Sequence, residues 1–358
     1  MINNNEINKR VVVGMSGGVD SAVTALLLKQ AGYDVIGVTM ILFNNKLNTC
    51  GSSQAIDDAK KVADKLDIPF HTLDLTKEFK EYVIDYFAKE YMEGKTPNPC
   101  IACNKHLKFD LMLKKAKELF NADYIATGHY AKVEYNEDTN RYYIKESVTV
   151  AKDQTYVLYN MTQEQLAHTL MPLGDYTKDE IREIAAKYDF INANKKDSQE
   201  ICFVEDNNYV KYIKENYNYT PKIGEFIDTA GNKYGKHKGI INYTVGQRRG
   251  LGLSLKSPLY VKGVNPKTNE VILCPKEQLF NDSLICTDIN LMAIPSLTTP
   301  IKAQVKIRYS APKADATLIP QENGNIKVVF DTPARAITPG QAVVFYDNDI
   351  VIGGGIIL

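Results

Sequence analysis

The sequence predicts an α/β fold: a doubly wound parallel sheet followed by a small β-rich central domain and a C-terminal β-barrel. Three observations carry this. Strand-like and helix-like segments alternate from residue 11 to about residue 130, and a glycine-rich loop joins the first strand to the first helix. Beyond residue 204 the helical pattern gives way to short apolar runs punctuated by Gly, Pro and Asn. Alternation of the first kind means a parallel sheet covered by helices on both sides. Short runs between turn residues mean β structure.

The elements follow in order. An apolar run at 11–13 reads as the first strand, and the helical stretch 22–31 follows it, stopped at Gly32. A second strand occupies 35–40. A helix begins at Ser53 with Ala55, Ile56, Ala59, Val62, Ala63 and Leu66 on one face, and a strand at 70–73 comes next. Further helical faces are written at Phe79, Tyr82, Val83, Tyr86 and Phe87 and over 107–120, and the series closes with a strand at 124–127. Residues 131–146 read as a hairpin. Thr177 and Glu180 form a capping box that opens a helix running to about Tyr188. After a short helix near 209–217 come apolar runs at 226–227, 259–264, 271–273, 305–309, 328–330 and 343–346. Boundaries near residues 206 and 280 divide the chain into a nucleotide-binding domain (1–206), a central β-rich domain (207–280) and a barrel (281–358).

Composition narrows the function classes. The chain has 358 residues with 44% apolar and 24% charged content, ordinary for a globular protein and long enough for two or three cores. Lys+Arg and Asp+Glu balance at 43 each, so any contact with nucleic acid must come from local patches. The basic stretch 233–238, read as a solvated loop, and Gln247, Arg248 and Arg249 are such patches. The start of the chain is polar and no apolar run approaches the length of a membrane span, so the expected address is the cytoplasm, away from membranes. Six cysteines without a secretion signal read as reduced thiols.

The loop Gly14, Met15, Ser16, Gly17, Gly18, Val19, Asp20, Ser21 is the most specific feature. Its glycines let backbone N–H groups turn toward an anion, and the following helix adds the positive end of its dipole. It lacks the lysine of the Walker pattern and the spacing of dinucleotide folds. Ser16, Ser21 and the carboxylate of Asp20 are candidates to hold magnesium against two adjacent phosphates of ATP. Ligands of open parallel sheets bind beyond the carboxyl ends of the strands. The Gly14 loop, Met40, Gly128 and His129 are all expected at such ends, converging on one nucleotide.

Cys100 and Cys103 form a C-x-x-C after Lys95-Thr96-Pro97-Asn98-Pro99. A free thiol is only a few per cent thiolate at neutral pH, and Lys105, His106 and Lys108 near the start of a helix are expected to favour the thiolate. The pattern alone also fits half a zinc site or two buried small residues. Cys202 is the candidate distant partner, or equally a buried inert thiol. Cys50, Cys274 and Cys286 read as structural.

The loop at 14–21 is joined by Thr-Pro-Asn-Pro at 96–99, Cys-Asn-Lys at 103–105 and Ala-Thr-Gly-His-Tyr at 126–130. Further along stand Lys-Asp-Gln at 152–154, Asp-Ser at 197–198, Ile-Cys-Phe at 201–203, Gly-Gln-Arg at 246–248, Arg-Tyr at 308–309 and Thr-Pro-Gly-Gln at 338–341. Together they resemble the bacterial tRNA-specific 2-thiouridylases of the MnmA type, members of the PP-loop ATP pyrophosphatases with an adenine nucleotide alpha hydrolase-like first domain. The resemblance runs nearly end to end. It implies that ATP adenylates the oxygen at position 2 of the wobble uridine, releasing pyrophosphate, and that a protein-borne sulfur displaces AMP to leave 2-thiouridine. By analogy Cys103 is the catalytic nucleophile, Cys202 carries a persulfide from a cysteine desulfurase or sulfur-relay protein, and Asp20 acts in the ATP step. Residues 14–21 with Met40 and Gly128 would bind ATP, and Asn98, Pro99 and Cys100 would border the target base. His129, Lys152, Asp153, Gln154, Arg308, Tyr309 and Gln341 would touch the tRNA. Without the family, His129 reads as a satisfied strand-end histidine, Lys152 and Arg308 as solvated charges, and Tyr309 as barrel core.

One position departs from the family. Many relatives carry aspartate where this chain has Cys100. Cys100, Cys103 and Cys202 are therefore also expected as candidate ligands of a 4Fe-4S cluster that would deliver sulfide. Two other classes stay open: a PP-loop ligase adenylating a small carbonyl compound for attack by an amine, and a non-catalytic RNA-binding protein with a structural metal.

Overall fold

The computed structural model describes residues 9–43, 52–193, 195 and 201–358. Cys50, Asp197 and Ser198 lie outside the described residues. The chain opens with strand β1 (Arg10–Gly14), helix α1 (Val19–Gln30), β2 (Asp34–Ile41), α2 (Ser53–Lys65) and β3 (Phe70–Asp74). Helix α3 (Thr76–Phe79) runs through a π-helical stretch (Lys80–Asp85) into α4 (Tyr86–Met92). In the same way α5 (Pro99–Cys103) continues through Asn104–Leu111 into α6 (Met112–Phe120). Then come β4 (Tyr124–Ala126), the hairpin β5 (Ala131–Asn136) and β6 (Arg141–Glu146), α7 (Gln163–Ala167), the two-residue β7 (Thr169–Leu170) and α8 (Lys178–Lys187).

Strands β1, β2, β3, β4 and β7 form a parallel sheet in the order β3-β2-β1-β4-β7. Both its faces are covered. Val12, Ile36 and Val38 pack into one cluster with Phe109 and Met112, while Val11, Val13 and Val35 pack into another with Val23, Leu26 and Ile181. Burial on both sides is why β1 and β2 read as unbroken apolar runs, whereas edge strand β3 is exposed or half-buried along its length. The expected capping box is present, with the Thr177 hydroxyl accepting from the Glu180 N–H and Glu180 reaching back to the N-cap.

Helix α9 (Tyr209–Asn216) precedes a four-stranded sheet of β8 (Gly224–Asp228), β9 (Lys233–His237), β10 (Tyr260–Asn265) and β11 (Glu270–Cys274), in the order β10-β11-β8-β9. The basic stretch expected as a loop is thus edge strand β9, its Lys233 and Lys236 still exposed. The last six strands are β12 (Phe280–Leu291), β13 (Ile301–Lys306), β14 (Ala314–Pro320), β15 (Ile326–Arg335), β16 (Ala342–Asp347) and β17 (Ile350–Ile357). They close through β12 against β17 into the expected barrel. The strand expected at 305–309 is displaced, because β13 begins at Ile301 and its inward alternation Ala303, Val305, Ile307 ends before Tyr309. The β5–β6 hairpin extends this sheet, with Val351 opposite Ile144. Among the described residues no helix is long and apolar enough to cross a membrane.

The loop after β1 is packed to a tolerance that can be tested. Gly17 has φ +73°, and a Cβ there would stand 2.5 Å from the Ala55 carbonyl oxygen, whereas at Gly18 the nearest atom would be the Ser16 hydroxyl at 3.4 Å. Left-handed backbone alone costs a non-glycine residue about 1–2 kcal/mol. Gly17→Ala is expected to lower the thermal midpoint clearly and Gly18→Ala to leave it nearly unchanged, as followed by circular dichroism.

Candidate active site

The loop is fixed by its carbonyl side. Thr39 donates its hydroxyl proton to the Met15 carbonyl at 2.6 Å, Asn192 and Lys195 both donate to the Gly17 carbonyl at 3.3 Å, and the Ser21 hydroxyl donates to the Gly18 carbonyl at 3.1 Å. A trans peptide sets N–H opposite C=O, so the amides of Gly18 and Val19 face the other way, at the start of α1. That is the geometry of an anion cradle. Gly128 closes the side of the cradle: a Cβ there would meet the Asp20 carbonyl carbon and the Ser21 nitrogen at 2.9 Å. Met40 lies near the end of β2, beside β1. The sheet order thus sets the Gly14 loop, Met40 and Gly128 at the ends of neighbouring strands.

Asp20 is placed differently from expectation. Both its oxygens accept hydrogen bonds at 2.8 Å from the ammonium of Lys178, and Oδ1 also accepts at 2.7 Å from the Tyr130 hydroxyl. Three bonds from protein donors thus fall on the carboxylate, two on Oδ1 and one on Oδ2. Lys178 is 6% exposed and occupies the first position of α8, where a cation opposes the helix dipole. Its pairing with Asp20 compensates that position. Lys195 likewise reaches the loop while paired at 3.0 Å with Asp58, whose carboxyl is held below the usual carboxylate range by bonds from Lys195 and Gln54 that outweigh its burial. Burial is the largest single influence on Asp58, acting upward, and the two hydrogen bonds reverse it. The sequence pattern does not single out Lys178, Lys195 or Asn192, and it gives Tyr130 only as the end of the 126–130 motif, without a role. For Lys178 a signal existed, since the capping box marks Thr177 as the N-cap and makes Lys178 a cation at the wrong end of a helix.

The C-x-x-C loop is held by its own cap and by the barrel. The Asn98 side chain accepts from the Cys100 N–H at 3.1 Å, and buried Pro99 takes the first helical position. From the barrel, Gln341 donates to the Thr96 carbonyl at 2.7 Å, and the Thr96 N–H donates to the Pro339 carbonyl at 3.0 Å. Cys103 is 8% exposed and buried among Phe79, Phe87, Leu107 and Phe203, and Cys202 packs against the same cluster. Cys100 is exposed. Among the described residues no three His, Cys, Asp or Glu side chains gather to hold a metal ion. Cys100, Cys103 and Cys202 therefore do not fit the expected cluster. On one helix Cys100 faces solvent while Cys103 faces the core. Of the cations expected near Cys103, Lys105 is paired with Asp288 at 3.2 Å, and burial together with Lys105 lowers the pKa of His106, which stacks on Tyr82.

Of the seven residues expected on the RNA, three are committed inward. His129 is 7% exposed, with Nδ1 bonded to Thr127 at 2.7 Å and its ring beside Phe109. Asp153 is buried and accepts from Ser147 and Thr155, and burial raises its carboxyl. Gln154 accepts from the Tyr130 N–H at 2.9 Å and so braces the tyrosine that holds Asp20. Lys152, Arg308 and Gln341 are half-buried, Arg308 donating to the Ala336 carbonyl at 2.6 Å. Tyr309 is 44% exposed, anchored by its hydroxyl on the Asp153 carbonyl, and so is surface rather than barrel core.

Known proteins match throughout the chain. A family model described as a tRNA methyl transferase HUP domain covers residues 9–206, one described as a tRNA methyl transferase PRC-barrel domain covers 211–275, and one described as an aminomethyltransferase beta-barrel domain covers 281–357. The chain is 55% identical over 356 residues to the tRNA-specific 2-thiouridylase MnmA of Clostridioides difficile, spanning 98% of both chains. It is 56% identical over 357 residues to the protein of that name from Clostridium beijerinckii, spanning 98% of this chain and 99% of that one. To the one from Acetivibrio thermocellus it is 52% identical over 356 residues, with the same coverage.

Burial of His129, aided by the charge of Lys108, holds its pKa well below the usual 6.5. A histidine kept neutral when folded binds fewer protons than when unfolded, so its contribution to stability is present above about pH 6.5 and is lost as pH falls below it. His129→Asn is expected to narrow the difference in thermal midpoint between pH 7.5 and pH 5.5. An unchanged difference would mean that the imidazole titrates in the folded protein.

Proposed function

The chain belongs to the tRNA-specific 2-thiouridylase family, and on that footing we propose that it is a tRNA sulfurtransferase that uses ATP to convert the wobble uridine of tRNA to 2-thiouridine. The observation that carries the reading is the pairing of a lysine-free phosphate loop with a buried cysteine on the helix that follows the Asn98 loop. A uridine carbonyl oxygen is a poor leaving group until adenylated, and the loop binds the nucleotide that adenylates it. The base is presented from a single-stranded anticodon loop, swung out of its stack toward Asn98, Pro99 and Cys100. Lys152, Arg308, Tyr309 and Gln341 border the RNA.

In the sulfur step the terminal sulfur of a Cys202 persulfide attacks C2 and AMP leaves. That sulfur enters at the oxidation level of a persulfide, two electrons above the level it holds in a thiocarbonyl. The Cys103 thiolate supplies the electron pair by attacking the Cys202 sulfur, so the S–S bond to the base breaks, 2-thiouridine is released and a Cys103–Cys202 disulfide forms. A dithiol reductant resets the pair. The common packing of Cys103 and Cys202 on one apolar cluster supports this reading. A persulfide-donor protein charges Cys202, and the cytoplasm is the proposed location. Domains are placed at 1–206, 207–280 and 281–358. No step is routed through a magnesium ion on Asp20 or through an iron–sulfur cluster. Asp20 instead orients Lys178 beside the phosphates.

The direct test is mass analysis of tRNA nucleosides after incubation with ATP, magnesium and a persulfide donor, in which the wobble uridine gains one sulfur. Cys103→Ser and Cys202→Ser are expected to abolish that gain while tRNA-dependent pyrophosphate release continues; sulfur incorporation by Cys202→Ser would remove it as the carrier. Asp20→Asn and Lys178→Met should each lower pyrophosphate release at least about tenfold with tRNA still bound. The double variant should fall no further than the worse single one, because the two act as a unit. Normal turnover in Asp20→Asn refutes the role given to that carboxylate.

A further inference from the structure

Of the chain's seven arginines, four belong to the seam between the central domain and the barrel: Arg248, Arg249, Arg308 and Arg335. Ala336, just past β15, is the point of contact. Its carbonyl accepts from the Arg308 guanidinium at 2.6 Å, and its methyl group faces Gly246 so closely that a Cβ on that glycine would stand 2.8 Å away. Gly246 leads into the turn that carries Arg248 and Arg249. The turn is pinned. The Gly246 N–H donates to the Val261 carbonyl at 2.7 Å and the Val261 N–H to the Gln247 carbonyl at 2.9 Å, while the Gln247 side chain accepts from the Thr244 N–H and donates to the Arg249 carbonyl, each at 3.0 Å. Arg335 lies over the ring of Tyr260, the neighbour of Val261, with 5.7 Å between guanidinium and ring centre. Arg248, Arg249 and Arg335 are exposed and Arg308 is half-buried. Burial, with the charge of Arg335 added to it, lowers the pKa of Arg308. Among the described residues no carboxylate comes within ion-pair distance of any of the four, whereas Arg10 is paired with Asp34, and Lys302 and Lys313 of the barrel with Asp331 and Glu146.

A protein whose charges balance at 43 each has no overall field to hold a polyanion, so an acid-free group of guanidiniums on a pinned backbone is the place for one to bind. Arginine's planar fork matches two oxygens of one phosphate. The seam also has a direction. Arg308 is followed by Tyr309, whose hydroxyl donates to the Asp153 carbonyl, and Ala336 stands three residues before Pro339, whose carbonyl accepts from Thr96 of the loop bordering the target base. Three residues span at most about 10 Å. We infer that Arg248, Arg249 and Arg335 act with Arg308 as a phosphodiester clamp that grips the RNA backbone within a few nucleotides of the target uridine. They are positioning residues, since none touches the reacting atoms. The inference rests on the tRNA reading above and gives the central domain a part in it: that domain supplies Arg248 and Arg249, aimed by the docking of their turn on Ala336.

The test is the salt dependence of binding, followed by fluorescence anisotropy with the full-length protein and a tRNA transcript carrying a wobble uridine. Each phosphate contact contributes about 0.9 to the slope of log Kd against log salt on a duplex and about 0.7 on a single strand. Arg248→Gln combined with Arg249→Gln is expected to lower that slope by about 1–2 and to weaken binding roughly fivefold or more at about 0.1 M salt, and Arg335→Gln alone to lower it by about 1. Extrapolated to about 1 M salt, where the counterion contribution vanishes, both variants should return to the wild-type Kd, which a partly unfolded protein would not do. In turnover both raise KM for tRNA and keep kcat within about twofold of wild type. Arg182→Gln removes the same charge from an exposed arginine of α8, outside the seam, and should change neither slope nor KM. An unchanged slope in the seam variants, or an equal loss in Arg182→Gln, overturns the clamp. Wild-type protein that fails to bind or to thiolate the tRNA overturns the function itself, so the two failures are distinguishable.

Discussion

Lys178 and Asp20 stand 158 residues apart in sequence, yet the ammonium of one lies 2.8 Å from both oxygens of the other. A phosphate loop with no lysine of its own must draw positive charge from elsewhere in the fold, and this pair shows how. Lys178 is buried at the start of a helix, where both desolvation and the dipole oppose a cation. Asp20 holds it there, and Tyr130, clamped in turn by Gln154, holds Asp20. The chain of contacts ties α1, α8 and the segment after β4 to one point beside the Gly18 and Val19 amides. Lys195 repeats the device with Asp58 of α2. Each imported cation is paired with a carboxylate in place, so the ammonium donors stand beside the loop without an uncompensated charge in a buried setting.

How much of this could be read from the sequence depended on how local the cause was. Strands β1, β2 and β4 are largely buried and most helices beside them have one apolar face, so period and composition located them. The β7 strand, two residues long, has no pattern to detect. In the barrel, β13 alternates around Ala303, a weak apolar signal, and β17 carries Gly353, Gly354 and Gly355. The glycines are there because the neighbouring backbone is close: a Cβ on Gly353 would stand 2.1 Å from the Asn290 carbonyl oxygen. The phosphate loop was legible because its parts are contiguous. Long-range pairs left no trace in the residue pattern: nothing near Asp20 in sequence announces Lys178 or Tyr130, and nothing near Gln154 announces the Tyr130 N–H it accepts from. Asp153 differs, since its bonds to Thr155 and Ser147 are local.

The barrel is part of the catalytic frame. Through Val351 opposite Ile144 its sheet continues into the hairpin of the first domain. Through Gln341 and Pro339 it holds both backbone polar groups of Thr96. The loop 95–99 thus hangs between the cap on Asn98 and a turn of the barrel, and its position depends on both. Arg308 and Tyr309 leave the same barrel, Tyr309 bonded to the Asp153 carbonyl of the first domain. Tyr309 and the loop 95–99 are thus set relative to one another by short hydrogen-bonded paths through the barrel. Precision of this kind favours a reaction in which one ring carbon must meet both an adenylating nucleotide and a sulfur.

The three cysteines of the site separate by exposure. Cys100 faces solvent, close enough to Tyr309 for its charge to bear on that phenol, while Cys103 points into the apolar cluster that Cys202 also joins. A cluster-bearing site would require the three to converge on common ground. A persulfide route requires only two, one to carry the sulfur and one to supply the electron pair that reduces it. The packing divides the residues two to one in that sense. Lys105, two residues beyond Cys103, is drawn across to Asp288 of the barrel, and burial lowers the pKa of His106, so the barrel and the helix packing engage the groups that follow the buried sulfur.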